Sequence, residues 1–210
     1  VRIQPIVEGQ GEVEAFPILL RRLLQEAGVY SIDIGHPIRQ KRGQLLRPEL
    51  LEKAILMAYR QHDCRSVLIM IDADDDCPKE LKTKLEAHTE KISTGIPCKI
   101  VIPKCEYEAW FLASLESLRG KRQINKTACS PKDPESIRDA KGMLSQEMPL
   151  GNSYLATVDQ AKLSAAFDMR QAYRKSRSFK HLVSALGELL RGMGIPLDEW
   201  PPEEWIHDSE

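Results

Sequence analysis

Five apolar residues in a row, Val67-Leu-Ile-Met-Ile71, run directly into Asp72-Ala-Asp74-Asp75-Asp76. An unbroken apolar run this short, β-branched in part, reads as a strand buried on both faces, as in a parallel sheet. The chain leaves such a strand at its carboxyl end, and in open α/β sheets that edge is where ligands bind. Asp72 and Asp74 are two positions apart, so they point to the same side if the strand persists that far. Four carboxylates this close repel one another. They stay ionised only if a cation, basic partners or water offset the repulsion. Taken alone, the stretch reads equally well as a solvated acidic turn capping the next helix.

A second stretch shifts that balance. Ile3-Gln-Pro-Ile-Val7 leads into Glu8-Gly9-Gln10-Gly11-Glu12-Val13-Glu14. This is again a short buried strand, then a tight glycine turn and a helix. In one parallel sheet the two strand ends bring their acids together at one edge. The glycine turn is not a dinucleotide fingerprint, because Glu14 stands where the third glycine belongs, and there is no Gly-Lys-Ser/Thr of a phosphate loop. Glu12 and Glu14 would repel a phosphate from the helix start that otherwise attracts one. A divalent cation resolves the conflict. Magnesium takes oxygen ligands and keeps several waters, so a few carboxylates suffice.

The rest of the chain alternates in the same way. A helix is expected from about residue 12 to 27, with Phe16, Leu19, Leu20, Leu23 and Leu24 on the 3.6 period. Residues 30–38 alternate as a strand, and 39–47 form a basic loop. Pro48 opens a helix whose buried face is Leu50, Leu51, Ala54, Ile55 and Ala58. A polar helix covers about 78–92, a buried strand 99–102 and a helix 106–118. This pattern predicts an α/β fold with a mostly parallel sheet flanked by helices. After Gly120 a basic, irregular segment gives way to helices at about 134–147, 159–174 and 178–191. Residues 1–118 therefore read as the α/β domain and 119–210 as a helical extension packed on it, with Trp200 and Trp205 either anchoring the tail, the commoner case, or marking a contact surface.

Composition allows an ordinary core, since 42% of the residues are hydrophobic and 29% charged. No apolar run approaches the length of a membrane span, and no basic segment followed by an apolar run marks a leader. Five cysteines, none in a Cys-x-x-Cys pair, argue against a disulfide framework or structural zinc. A cytoplasmic protein with reduced thiols is expected.

The combination of an apolar strand, Glu8-Gly9-x-x-Glu12, a long interval and Asp72-x-Asp74 resembles the Toprim domain of topoisomerases, bacterial primases and the overcoming-lysogenization-defect (OLD) nucleases. The resemblance covers roughly residues 1–118. It implies a compact Rossmann-like sheet with a magnesium site built from Glu8, Asp72 and Asp74. One departure is Cys77, where many Toprim domains have the glycine of Asp-x-Asp-x-x-Gly. A likeness over the whole length rests on Ile6-Val-Glu-Gly, Ile71-Asp72-Ala-Asp74, Cys105-Glu-Tyr-Glu-Ala-Trp-Phe-Leu-Ala113 and Arg177-Ser-Phe-Lys180. These segments are similar to a bacterial Toprim-like family of unknown function. Its members are often encoded beside ATPases of the ABC/SMC type, in loci taken to serve phage defence.

Together these readings imply a nuclease, or a related phosphoryl-transfer enzyme, dependent on Mg2+ or Mn2+. In a two-metal scheme carboxylates hold ions that activate water and stabilise the leaving oxygen. Asp72 is the expected shared ligand, with Glu8 and Asp74 completing the first ion and Glu12 beside it. Glu8 is alternatively a proton acceptor or donor, and Asp76 a third ligand or a helix cap. Glu106 and Glu108 follow the third strand at the same edge. Glu108 is the preferred further site residue, and Lys104 is placed to steady a phosphate. Three basic groups, containing Arg42, then Lys121 and Arg122, then Arg174, Arg177 and Lys180, suit a track for DNA or RNA. Two other readings compete. The chain is a non-catalytic regulatory partner of an ATPase, or it is a haloacid-dehalogenase-type phosphatase. The phosphatase pattern wants Thr or Val at position 76 and the first strand, so it fits less well.

Overall fold

The computed structural model describes residues 1–92 and 94–207. Its strands are β1 (Arg2–Val7), β2 (Asp33–Ile34), β3 (Ile38–Arg39), β4 (Cys64–Met70) and β5 (Cys98–Val101). They form a parallel sheet in the order β2-β1-β4-β5, with β3 also pairing β1. The helices are α1 (Glu12–Glu26), α2 (Arg42–Leu45), α3 (Pro48–Tyr59), α4 (Pro78–Thr89), α5 (Ala109–Leu112), α6 (Ala140–Gln146), α7 (Ala161–Ser164), α8 (Met169–Lys175), α9 (Arg177–Gly192) and α10 (Glu203–Ile206). This is the expected α/β class with a helical C-terminal region.

Strand alternation sorts the core into two faces. Ile3, Val7, Leu68, Met70 and Val101 point to the face covered by α1, α5 and α9. Ile6, Val67, Ile69 and Ile100 point to the face covered by α3 and α4. From β1 the chain moves one way to β2 and β3, then back the other way to β4. Crossovers of one hand in opposite directions must use opposite faces, and so α1 and α3 lie on opposite sides of the sheet. The order reverses between β1 and β4, which makes their carboxyl ends the crevice of the fold.

The strand expected over 30–38 is instead two short pieces beside β1. In this register the N–H and C=O of odd β1 residues face β2 and β3, as shown by Gly35 N–H donating to Ile3 O at 3.0 Å and Gln40 N–H to Val7 O at 2.9 Å. Pro5 has no N–H to offer on that side. The ladder is interrupted there, and the buried Gln4 amide bridges the gap by donating to His36 O at 2.6 Å.

Three of the long helices of the sequence reading are also broken, whereas 178–191 is continuous as α9. Residues 106–118 give α5 and then a 3₁₀ turn at Leu115–Leu118. Residues 134–147 give a 3₁₀ turn and then α6, and 159–174 give a π-turn at Ala156–Gln160, α7 and α8. The restarts have caps: Asp139, Asp168 and Ser176 accept from the N–H groups of Gly142, Gln171 and Phe179. The basic loop 39–47 contains α2, anchored by the buried Leu45.

One apolar cluster joins Leu19 of α1, Trp110 of α5, and Leu163 and Leu182 of the helical region. Trp110 is fully buried, donates to Ser178 Oγ at 2.8 Å and meets the Phe179 ring edge-on. The tail is anchored too. Trp205 is buried beside Tyr173, and Trp200 Nε1 donates to Val183 O at 2.8 Å. No helix among the described residues is long and apolar enough to cross a membrane.

Candidate active site

β1 ends at Val7, and the chain turns through Glu8–Gly11 into α1. Glu12, the first residue of that helix, folds back over the turn. Its Oε2 accepts from the N–H groups of Glu8 and Gly9, each at 3.1 Å. A Cβ on residue 9 would lie 2.6 Å from Glu12 Oε1, so a larger residue there would displace the Glu12 carboxylate from the turn. At residue 11 a Cβ would meet Gln160 Oε1 at 2.2 Å and Ala156 O at 2.7 Å, so glycine here lets the π-turn of the helical region dock.

Beyond β4 the chain stays beside the continuation of β5. Ala73 N–H donates to Pro103 O at 3.0 Å and Asp74 N–H to Cys105 O at 2.9 Å. Asp74 and Cys105 then both turn left-handed, with φ of 50° and 62°. Aspartate tolerates this conformation better than most residues. The strand therefore does not persist through Asp74. Asp72 stays buried, whereas the Asp74 side chain is 53% exposed.

Glu108, just before α5, is fully buried and closes the inner end of the crevice. Its Oε1 accepts from the Tyr154 hydroxyl at 2.7 Å and from Gln160 Nε2 at 3.3 Å, and its Oε2 lies 3.7 Å from Lys141 Nζ. Lys141 also pairs with Glu106 at 2.6 Å. Lys141, Tyr154 and Gln160 come from the helical region, and the sequence reading missed all three. They share no motif with the acids, and only Lys141 carries a charge.

The electrostatics are those of an acid cluster short of positive charge. Burial pushes the Asp72 carboxyl well above its usual range, Glu12 and Glu108 push it further, and Lys141 opposes them. Burial raises Glu108 against Lys141 and the Tyr154 hydroxyl. It raises Glu8 against Arg42, with Asp74 adding to the rise. Burial lowers Lys141, but Glu108 and Glu106 more than reverse this. Glu8 Oε2, Asp72 Oδ1 and Glu108 Oε2 are buried oxygens without a hydrogen-bond partner. Such atoms are costly unless something offsets them. This oxygen-only set fits a hard divalent cation. Among the described residues no three His, Cys, Asp or Glu side chains are already gathered as a finished ligand set.

One consequence is a pH dependence. Burial raises the Glu12 carboxyl from the usual 4.5 to about 7, with the charges of Glu108 and Glu8 adding to the shift. Between those values the fold binds more protons than the open chain, so stability falls as pH rises through the window. Glu12→Gln keeps an acceptor for the turn and loses the charge. In chelator, its melting temperature is expected to gain on wild type from pH 4.5 to 7 and to hold that lead above. A lead independent of pH would contradict a buried charge at Glu12.

The other expected residues are dispersed. Arg42, read from sequence as part of a basic track, instead lies among the acids, donating to Ala73 O at 3.2 Å and to Asp76 Oδ2 at 2.5 Å. Lys104 is exposed and lines a cleft of about 310 Å3 with Asp74, Asp75, Asp76, Cys105 and Arg138. Lys121 Nζ donates to Ala166 O at 3.0 Å, and Arg122 pairs with the buried Asp159 at 2.7 Å. Arg174 holds the tail through Glu204 O at 2.8 Å and Trp205 O at 3.3 Å. Lys180 lies over the Tyr173 ring, and Arg177 is exposed.

A family model described as "Domain of unknown function (DUF4276)" matches residues 7–187, which include every acidic residue of this crevice. No curated protein and no solved structure gives a significant match to the chain.

Proposed function

We propose a hydrolytic role for this chain, which belongs to the DUF4276 family: a Toprim-related, magnesium- or manganese-dependent nuclease that works with a partner ATPase of the ABC/SMC type in phage defence. The observation that carries this reading is the set of buried oxygens without a hydrogen-bond donor on Glu8, Asp72 and Glu108 at the switch point of a parallel sheet. A bound divalent ion would supply Lewis-acid polarisation of a phosphoryl oxygen and a more acidic water. Asp72 and Glu8 are the residues to hold it. Glu12 is bound to the turn through one oxygen and adds charge beside them. Glu108, fixed by Tyr154, Gln160 and Lys141, closes the inner wall. Glu8 is 23% exposed at its side chain, which leaves it able to exchange a proton with a substrate or water. Lys104 stands at the exposed rim, where a phosphate would approach.

Labelled DNA and RNA, single- and double-stranded, incubated with the chain in magnesium or manganese and with the neighbouring ATPase supplied, should show phosphodiester cleavage that chelator stops. Manganese binding and ATPase association without cleavage of any substrate would replace the enzyme by a metal-sensing regulatory subunit.

A further inference from the structure

The acid cluster has two ends, and they are neutralised differently. At the outer end the Arg42 guanidinium, with a permanent positive charge, lies among Asp76 at 2.5 Å, Asp74 at 3.5 Å and Glu8 at 3.9 Å. It also donates to the backbone carbonyls of Asp72 and Ala73. Only 19% of its side chain is exposed. The fold delivers it there. Val7 and Arg39 are paired across β1 and β3, Gln40 N–H continues the ladder to Val7 O, and α2 begins two residues later, with Leu45 buried beneath it. At the inner end, Asp72 Oδ1 and Glu108 Oε2 are buried oxygens with no hydrogen-bond donor. Lys141 lies nearest Glu108, with its shorter contact to Glu106.

We infer that the site takes one divalent cation, with Asp72 on its inner side and Glu8 on its outer side, and that Arg42 permanently holds the place a second ion would take between Asp74 and Asp76. This rests on the metal-dependent reading above and narrows it. A neighbouring cation near Asp74 and Asp76 would have to expel a half-buried, multiply bonded guanidinium. An inner ion meets oxygens that no donor satisfies. In this arrangement Arg42 supplies the charge that two-metal sites obtain from the outer ion, and Asp74 and Asp76 hold Arg42 rather than metal.

The test is the stoichiometry of Mn2+ binding, followed by calorimetry and by the electron paramagnetic resonance signal of free Mn2+. Wild type is expected to bind one equivalent and Asp72→Asn none. Arg42→Lys keeps a cation in place and should keep one equivalent. Arg42→Gln should gain a second, weaker equivalent, lost again in Arg42→Gln/Asp76→Asn. Because Arg42 also secures backbone carbonyls, an independent arm leaves it intact. Asp76→Asn alone should hold one equivalent with affinity within about twofold of wild type. Two equivalents in wild type, one in a folded Arg42→Gln, or a tenfold loss in Asp76→Asn would overturn the assignment. Binding of one equivalent by wild type and Asp72→Asn alike would place the ion elsewhere and overturn it too. No binding by wild type would instead remove the metal reading itself, and this inference with it.

Discussion

Asp72→Asn is expected to abolish metal binding and cleavage while leaving the metal-free protein as stable as wild type or more so. The expectation follows from the sign of its electrostatics. Burial and the carboxylates of Glu12 and Glu108 disfavour its charge, and Lys141 offsets them only in part. A neutral isostere removes that unfavourable buried charge wherever the carboxyl is ionised. It also removes an oxygen anion from the crevice that is proposed to hold the cation. Replacing a residue that only orients a ligand typically costs 10–100-fold in metal affinity, so loss of a ligand should cost more than about 100-fold. Glu8→Gln should behave alike, and the double variant should lose little more activity than either single one, because parts of one catalytic unit are not additive. If these acids served as helix caps, each replacement would instead cost about 0.5–2 kcal/mol of stability and spare activity. Melting in chelator and cleavage in manganese, measured on the same four proteins, separate the two. Full activity in Glu8→Gln would sink the shared-ion site.

The second large effect is structural. Trp110→Ala removes a fully buried indole that touches Tyr107 and Phe179 and donates to Ser178 Oγ. Such truncations cost about 3–5 kcal/mol, and 1 kcal/mol is worth about 2–4 °C in a chain of this size. A fall of roughly 6–20 °C is therefore expected. Trp110 lies in the apolar cluster that joins α1 to α9. The loss should therefore appear as one transition, coincident in far-ultraviolet and tryptophan signals. Two separated transitions, with only one displaced, would show that the helical region melts apart from the sheet. A loss under about 1 kcal/mol would mean that the indole is not the joint between them.

Much of this arrangement was legible in the chain. The apolar runs that end in Glu8 and Asp72 were enough to predict parallel strands with acids at their carboxyl ends, because burial on both faces leaves no alternation and a short run leaves no room for a helix. The period of Phe16, Leu19, Leu20, Leu23 and Leu24 was enough for α1, and all five are buried. The broken helices were less legible, although their caps were present in the sequence. Asp139 and Asp168 are helix starters, but an apolar period running past them masks the restart.

What the sequence determined by itself was the order of elements, the class of the sheet and the edge at which the carboxylates gather. These follow from local spacing, since the period of apolar residues sets both the secondary structure and the face it buries. Tertiary structure alone decided the partner of each charge. Arg42 reads as part of a basic loop until β3 pairs with the end of β1 and turns it onto Asp74 and Asp76. Lys141 and Gln160 read as ordinary helix residues, and Tyr154 as part of a connection, until their segment packs over Glu108. A charge's partner depends on distance in space, and residues that meet across 32 to 52 positions leave no period in the chain. Even the division of Asp72 from Asp74, one buried and one turned outward, waits on where the strand stops pairing with β5.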